Sequence, residues 1–290
     1  MLTTSLPELE RRAVKTAPTR RLRTLIWQVF RANISMISRR TISLIVFVGL
    51  WQILSMTNAN LLINFQHVPA PTEVFAAFIA FLDSSPWVHF QSSITRVLVG
   101  FSFGALLGIL SGLLIGSSHK LEEIFGTPLE VLRPVPAVAW IPLAILMFPD
   151  AESGMFYITF VGAFYPILIS TQKSVEASLS DRLMIRVGQS LGANSLQLFR
   201  DIIFPSSLPG ISAGLVIGMG NAWFCLVTAE IIAGRHGLGY HTWESYVTSE
   251  YPPIVMGMIL IGALGAFSSY IIYVGTNQLM PWRSVVKGRL

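Results

Sequence analysis

Charged positions thin out after Arg40, and long apolar stretches take over the chain. No Asp, Glu, Lys or Arg stands between Arg40 and Glu73, and further charge-free runs cover 97–119, 134–149, 153–172, 202–229 and 251–282. A helix needs about 20 mostly apolar residues to cross a hydrocarbon core about 30 Å thick. The pattern predicts six spans, at 41–58, 94–117, 123–148, 154–175, 208–233 and 253–279. The third holds Glu130 and Arg133, and only its second half is free of charge. An all-α integral membrane fold follows, with one long connection, Ser174–Ser207, between spans four and five.

Composition agrees. Of 290 residues, 52% are hydrophobic and 12% charged, about half the charge of an ordinary soluble domain. Disorder is excluded and a water-soluble enzyme is disfavoured. The single cysteine, Cys225, cannot form an internal disulfide or assemble a metal cluster alone.

The distribution of Lys and Arg sets the orientation, because these residues stay on the cytoplasmic side during insertion. Nine lie in the first 40 positions, opposed by Glu8 and Glu10. With that segment inside, 17 of the 20 fall on the cytoplasmic side, including Lys120, Lys173, Arg182, Arg186, Arg200, Arg283, Lys287 and Arg289. Arg235 is the one cleanly outside. Both termini and the long loop are therefore expected to be cytoplasmic. In the leader, Leu22, Leu25, Ile26, Val29, Phe30, Ile34 and Ile37 recur at helical spacing. They suit an interfacial helix on anionic headgroups or a simple positive anchor. A cleavable signal peptide fits poorly, since no small-residue cleavage site follows the basic stretch. The net charge of +5 matches a lipid surface rather than nucleic acid.

Gly100, Gly104, Gly108, Gly112 and Gly116 stand at every fourth position of span two, and Gly210, Gly214 and Gly218 repeat the device in span five. Lipid supplies no hydrophobic drive between helices, so side-chain-free stripes mark close backbone packing. Span three cannot be an undisturbed helix across Leu132-Arg133-Pro134-Val135-Pro136 and Pro142, because each proline removes a donor and crowds the preceding turn. Arg133 can satisfy the freed carbonyls, or attract an anion passing the break; the two roles are compatible. Arg96 is the second pathway cation. Glu230 stands as an isolated charge near the outer end of span five, with Trp223 and Phe224 one to two turns before it, as further pathway candidates. His236 and His241 have no partners at metal-ligand spacing, so no metal is expected.

The long loop reads as two short helices separated at Gly192, with Asn194 or Ser195 capping the second and Leu196 and Phe199 on one face. A compact ledge at the membrane surface would present the segment Leu191–Arg200 as a helix. Gly192, Ile202, Phe204 and Pro205 resemble the EAA loop of type I ABC-importer permeases, in which Gly, nine residues, then Ile-x-Leu-Pro follow Glu-Ala-Ala. Arg186-Val187-Gly188 stands where that family has Glu-Ala-Ala, which departs from the pattern and removes the glutamate contact. Ser93-Ile94-Thr95-Arg96-Val97, Leu132 to Ala144 and Ala233-Gly234-Arg235-His236-Gly237-Leu238-Gly239-Tyr240 are similar to the branch importing nitrate, bicarbonate, taurine and alkanesulfonates. Met147 to Glu152 and Thr159 to Pro166 look most like cyanobacterial nitrate/nitrite and bicarbonate permeases.

The resemblance implies a domain plan: a basic segment over 1–40, first span and external loop over 41–91, the transporter domain over 92–280 and a tail over 281–290. It implies a permease that works as a pair of copies in the bacterial inner membrane, two cytoplasmic ATP-binding subunits, and a substrate-binding protein docking on the outer loops 59–93 and 234–252. Arg186, Leu191, Gly192, Ala193, Leu196, Phe199, Ile202 and Pro205 would meet the ATPases, whose closure would push the Leu191–Arg200 helix and tilt spans four and five. The chain lacks a phosphate-binding loop of its own, since no lysine follows a glycine; ATP and Mg would sit on the partners. The expected cargo is a small anion, nitrate or nitrite first, bicarbonate or a sulfonate such as taurine otherwise. A carrier driven by an ion gradient is the rival class and would need an intramembrane acid, for which Glu130 and Glu230 are the candidates. An enzyme is not expected: no paired carboxylates or nucleophile–base pair appear.

Overall fold

The computed structural model describes residues 38–57, 67–84 and 86–282. The leader stripe Leu22–Ile37 and the terminal Arg283, Lys287 and Arg289 lie outside these residues. The described residues are helical, without strands, and the chain divides into two compact units, Met1–Thr72 and Glu73–Leu290.

The first unit is built around α1 (Ser38–Met56). Its last turns are tied to the following segment by Ser55 Oγ donating to Val68 O at 2.5 Å and Gln52 Nε2 to Thr72 Oγ1 at 3.2 Å. Helix α2 (Pro71–Asp83) starts in this unit and leads into the second.

The second unit contains α3 (Trp87–Ser117), α4 (His119–Leu132), a 3-10 turn (Ala137–Trp140), α5 (Ile141–Met147), α6 (Ala151–Ser180), α7 (Arg182–Ser190), α8 (Ser195–Leu198), α9 (Phe204–Ala233), α10 (Leu238–Val247) and α11 (Tyr251–Gln278). Helix α6 is the centre, packing against α3 on one side and α9 on the other. The glycine stripes explain why. A methyl group on Gly104 would lie 2.7 Å from Ala163 Cβ; one on Gly108 3.1 Å from Ile167 Cβ; one on Gly112 2.7 Å from Thr171 Cβ. Gly100 and Gly116 meet Thr159 and Val175 in the same way. Each step of four along α3 is matched by a step of four along α6, so the two helices run parallel. On the other flank Gly214 faces Ser170 and Gly218 faces Ile167, and the falling numbers make α9 antiparallel to α6.

Parallel α3 and α6 require the chain to return between them, and residues 119–147 do so as a broken traversal: α4 and the Ala137–Met147 segment are bent by 86°. The prolines set the break. Pro134 and Pro136 interrupt the ladder, leaving Val135 N–H to Leu132 O (3.1 Å) and Ala139 N–H to Pro136 O (2.9 Å) as isolated turns, and Pro142 sits in the first turn of α5. Among the described residues, five helices are long and apolar enough to cross a membrane, Ser38–Met56, Trp87–Ser117, Ala151–Ser180, Ser195–Ala233 and Tyr251–Gln278; counting the bent pair as one span brings the number to six.

Two expectations need correction. Leu191–Arg200 is not one helix: 191–194 form a turn, α8 is a single turn, and a π turn over Phe199–Ile203 joins it to α9. Gly192 (φ +83°) ends α7 in a left-handed cap, with Ala193 N–H reaching Gly188 O at 3.1 Å and Gly192 N–H reaching Gln189 O at 2.9 Å. The presumed loops 59–93 and 234–252 hold α2, the first turns of α3 and α10. The helix that holds span four, α6, runs on to Ser180, and its Lys173 and Glu176 line a polar recess beside α4.

Candidate functional site

The two arginines singled out in the sequence lie in different places. Arg96, 2% exposed, is clasped at the end of the bundle where α3 and α6 begin and α9 ends. Its Nε donates to Glu152 Oε2 at 2.8 Å and its Nη2 to Glu152 Oε1; Nη1 donates to Glu230 Oε1 at 2.8 Å and to His236 O at 2.6 Å. Glu230 is fully buried and also accepts from Ser93 Oγ (2.8 Å) and the N–H of Gly239 (2.9 Å). Ser93 Oγ in turn receives the N–H of Leu238 at 2.9 Å. Both carboxylate oxygens of Glu230 and every guanidinium nitrogen of Arg96 have partners, as buried charge demands. Glu230 is therefore paired, not isolated.

The segment Gly234–Gly239 wraps this carboxylate. Gly237 (φ +134°) passes so close that a Cβ there would fall on the Glu230 carboxylate, and a Cβ on Gly239 would lie 2.8 Å from Val227 O. Glycine is required on both counts, close approach and backbone angle. The clamp thus ties α3, α6, α9 and α10 together.

Beside it, His89 Nδ1 lies 3.1 Å from Gly237 O, and the His89 ring is 5.4 Å from His241 and 6.2 Å from His236. Phe81 stacks on His241 at 4.7 Å. Burial, then the neighbouring His89, holds the His241 imidazole below its ordinary value. No group of three or more His, Cys, Asp or Glu among the described residues is arranged to hold a metal ion.

Arg133 stands at the break between α4 and α5, and its guanidinium has no partner among the described residues. It opens on a cavity of about 440 Å³ whose other walls are mostly apolar. Helix α6 contributes Val161, Gly162, Tyr165 and Pro166, and α9 contributes Ile217, Asn221, Phe224 and Cys225. Pro166 cannot donate to the carbonyl of Gly162, so a freed backbone acceptor lies at the cavity wall, where irregular backbone at membrane depth is tolerated. Trp223 does not line the cavity. It is buried against α11, with Nε1 donating to Ser268 Oγ at 3.0 Å. Phe224, its neighbour, turns the other way.

At the opposite end from the clamp, the loop between α6 and α9 is built as a ledge. Asp181 caps α7, and Asn194 and Gln197 form a reciprocal capping box with both bonds at 2.8 Å. Gly188 packs under Leu198 and Ile202, where a Cβ would come within 2.6 and 2.7 Å of their methyl groups. Pro205, with no N–H to donate, sits where the ladder resumes after the π turn. Leu191 and Leu196 are exposed (82% and 74%), with Leu183, Met184 and Val187 beside them. Arg186 is exposed; Ala193, Phe199, Ile202 and Pro205 are half-buried. Sequence reasoning missed Ser93, Glu152 and Gly188 as functional partners. The signal for the first two was present, since both fall in the stretches that carried the family resemblance.

Comparison with known proteins agrees with this architecture. Residues 104–280 match the family model "binding-protein-dependent transport system inner membrane component". The nitrate import permease protein NrtB of Synechocystis sp. is 30% identical over 237 residues, covering 78% of this chain and 83% of that protein. The taurine transport system permease protein TauC of Escherichia coli is 29% identical, covering 76% of this chain and 82% of its own. The bicarbonate transport system permease protein CmpB of Synechococcus elongatus is 29% identical, covering 76% and 81%. With its apolar helices and a family match spanning α3 to α11, the chain belongs to the binding-protein-dependent transport system inner membrane components, the multi-pass permease subunits of bacterial ABC importers.

Proposed function

We propose that this permease carries a small anion inward, past Arg133, in a complex driven by ATP. The observation that carries the reading is Arg133, its guanidinium unpaired among the described residues, on the wall of an otherwise uncharged cavity of about 440 Å³. One water occupies about 30 Å³ in the liquid, so the cavity holds a small anion with much of its hydration. An intramembrane cation that the fold leaves unpaired is the natural counter-ion for such a cargo. Nitrate or nitrite is the first candidate and bicarbonate or taurine the second, in keeping with the relatives named above.

The ledge is the proposed contact with two ATP-binding subunits. Its exposed Leu191 and Leu196, beside the Gly192 turn, offer an apolar knob on a capped and braced base. Leader and ledge face the cytoplasm, a second copy of the chain completes the pathway, and a substrate-binding protein docks at the clamp end. The described 92–280 segment is the transporter domain; Mg-ATP belongs to the partners. A gradient-driven carrier is disfavoured by the clamp, because Glu230, one of its two candidate acids, is held by Arg96, Ser93 and Gly239.

The test is reconstitution of the complete complex in liposomes, with nitrate, nitrite, bicarbonate and taurine each titrated against uptake and ATP hydrolysis. One of these solutes stimulates both, and Arg133→Ala abolishes uptake while the complex still assembles. Uptake at the wild-type rate by Arg133→Ala overturns the assignment. Gly192→Pro, which cannot adopt φ +83°, is expected to leave ATP hydrolysis unresponsive to substrate.

A further inference from the structure

Arg133 belongs to two cavities, and their chemistry is opposite. Among the described residues, the cavity between α6 and α9 has no other charged group in its wall. The second, a recess of about 140 Å³ between α4 and α6, has Arg133 and Lys173 set against Glu122, Glu130 and Glu176. Arg133 is the charged residue that lines both, and its guanidinium is unpaired among the described residues. The three carboxylates are not equally available. Glu122 lies 3.5 Å from the imidazole of His119. Glu176 is oriented by Gln172 Nε2 at 2.7 Å. Glu130 has no partner among the described residues and sits on α4 one turn before Arg133.

This placement bears on a general problem of transport: a counter-ion that attracts an anion into an apolar cavity also holds it there. Conduction needs a site that can be left as well as entered. We propose that Glu130 and Glu176 release the anion by taking Arg133 from it. The proposal rests on the anion-import reading given above. With cargo in the cavity, the guanidinium faces the cavity. When the 86° break between α4 and the Ala137–Met147 segment changes angle, the long flexible side chain turns to the recess, and the carboxylates there replace the anion as its partners. The anion is left beside a neutralised charge in an apolar wall and departs. Lys173, on α6, keeps the recess from carrying three uncompensated negative charges while Arg133 is away.

The experiment uses the full complex in liposomes, with nitrate, bicarbonate and taurine as probes. Glu130→Gln/Glu176→Gln retains shape and removes the competing charge. The maximal uptake rate is expected to fall about tenfold, a modest part of what a close ion pair of intermediate dielectric supplies, while half-saturation moves to lower anion concentration. Glu130→Asp/Glu176→Asp restores most of the rate. An unchanged maximal rate in the Gln pair overturns the release role. If Arg133→Gln carries all three probes at the wild-type rate, the anion reading fails and this proposal with it. If Arg133→Gln is inactive but the Gln pair is not impaired, the release role alone falls. Recovery of the ATP-binding subunits with each variant shows whether a loss is one of assembly.

Discussion

Arg96 lies within α3 and Arg133 at the break after α4, and the fold treats the two in opposite ways. Arg96 meets two carboxylates, a backbone carbonyl and almost no solvent. Arg133 meets no side-chain partner among the described residues and faces two cavities. A charge with every nitrogen matched has become structure, since moving it would strand its partners without water. A charge left unmatched at a proline break remains available to something that arrives and leaves. The helices differ as well: α3 and α6 interlock through glycines at one register, whereas α4 buries none of its residues and is bent by 86° from the segment that follows. The interlocked part of the molecule carries the paired arginine and the broken part the unpaired one.

Substitutions can break or sharpen this contrast. The largest effect is expected for Glu230→Ala, which leaves the buried Arg96 with an incomplete shell; breaking one partner of a buried pair costs about 3–5 kcal/mol, read as a fall in the thermal midpoint in detergent. Gly237→Val comes next, at about 2 kcal/mol, because its side chain needs space held by the Glu230 carboxylate and a backbone angle that L residues avoid. If both variants melt like the wild type, the clamp is not structural.

A smaller effect comes from pH. Burial and the nearby His89 depress His241 in the fold, while Glu244 and Glu250 act the other way. An imidazole depressed in the folded state is stabilising above its unfolded value, about 6.5, and that contribution is lost as pH falls through the lower folded value. The midpoint is therefore expected to be lower at pH 5.5 than at 7.5, and the difference to shrink in His241→Gln. The smallest change in stability is expected for Arg133→Ala, within about 0.5 kcal/mol as for an exposed, unpartnered side chain, although uptake is lost. A large drop in the midpoint there would erase the distinction between the two arginines.

Much of the fold was legible in the order of residues because the membrane imposes a length on apolar runs, and because a helix repeats its face every three to four positions. The stripe Gly100–Gly116 announced a close neighbour; nothing local said that the neighbour was α6 running in the same direction. The prolines at 134, 136 and 142 announced a break, but its angle depends on what packs around it. The loop was legible in part. Gly192 and Asn194 marked a turn and a cap, yet the apolar spacing continues across them, so 191–200 read as one helix where the chain makes a turn, a single helical turn and a π turn.

The clamp was the least legible feature. Arg96, Glu152 and Glu230 lie on three helices, and Glu230 looked solitary because its partners are remote along the chain. Whether a buried charge is paired is a question of distance in space, and sequence spacing reports it only within one helix or hairpin. Amino-acid order thus specified the spans, the glycine-lined faces, the broken helix and the capped ledge, all of which follow from local chemistry repeated along a chain in lipid. Folding alone assigned the two arginines their different fates, because the energy of a charge in an apolar medium depends on which groups the packing of separate helices brings within hydrogen-bonding reach.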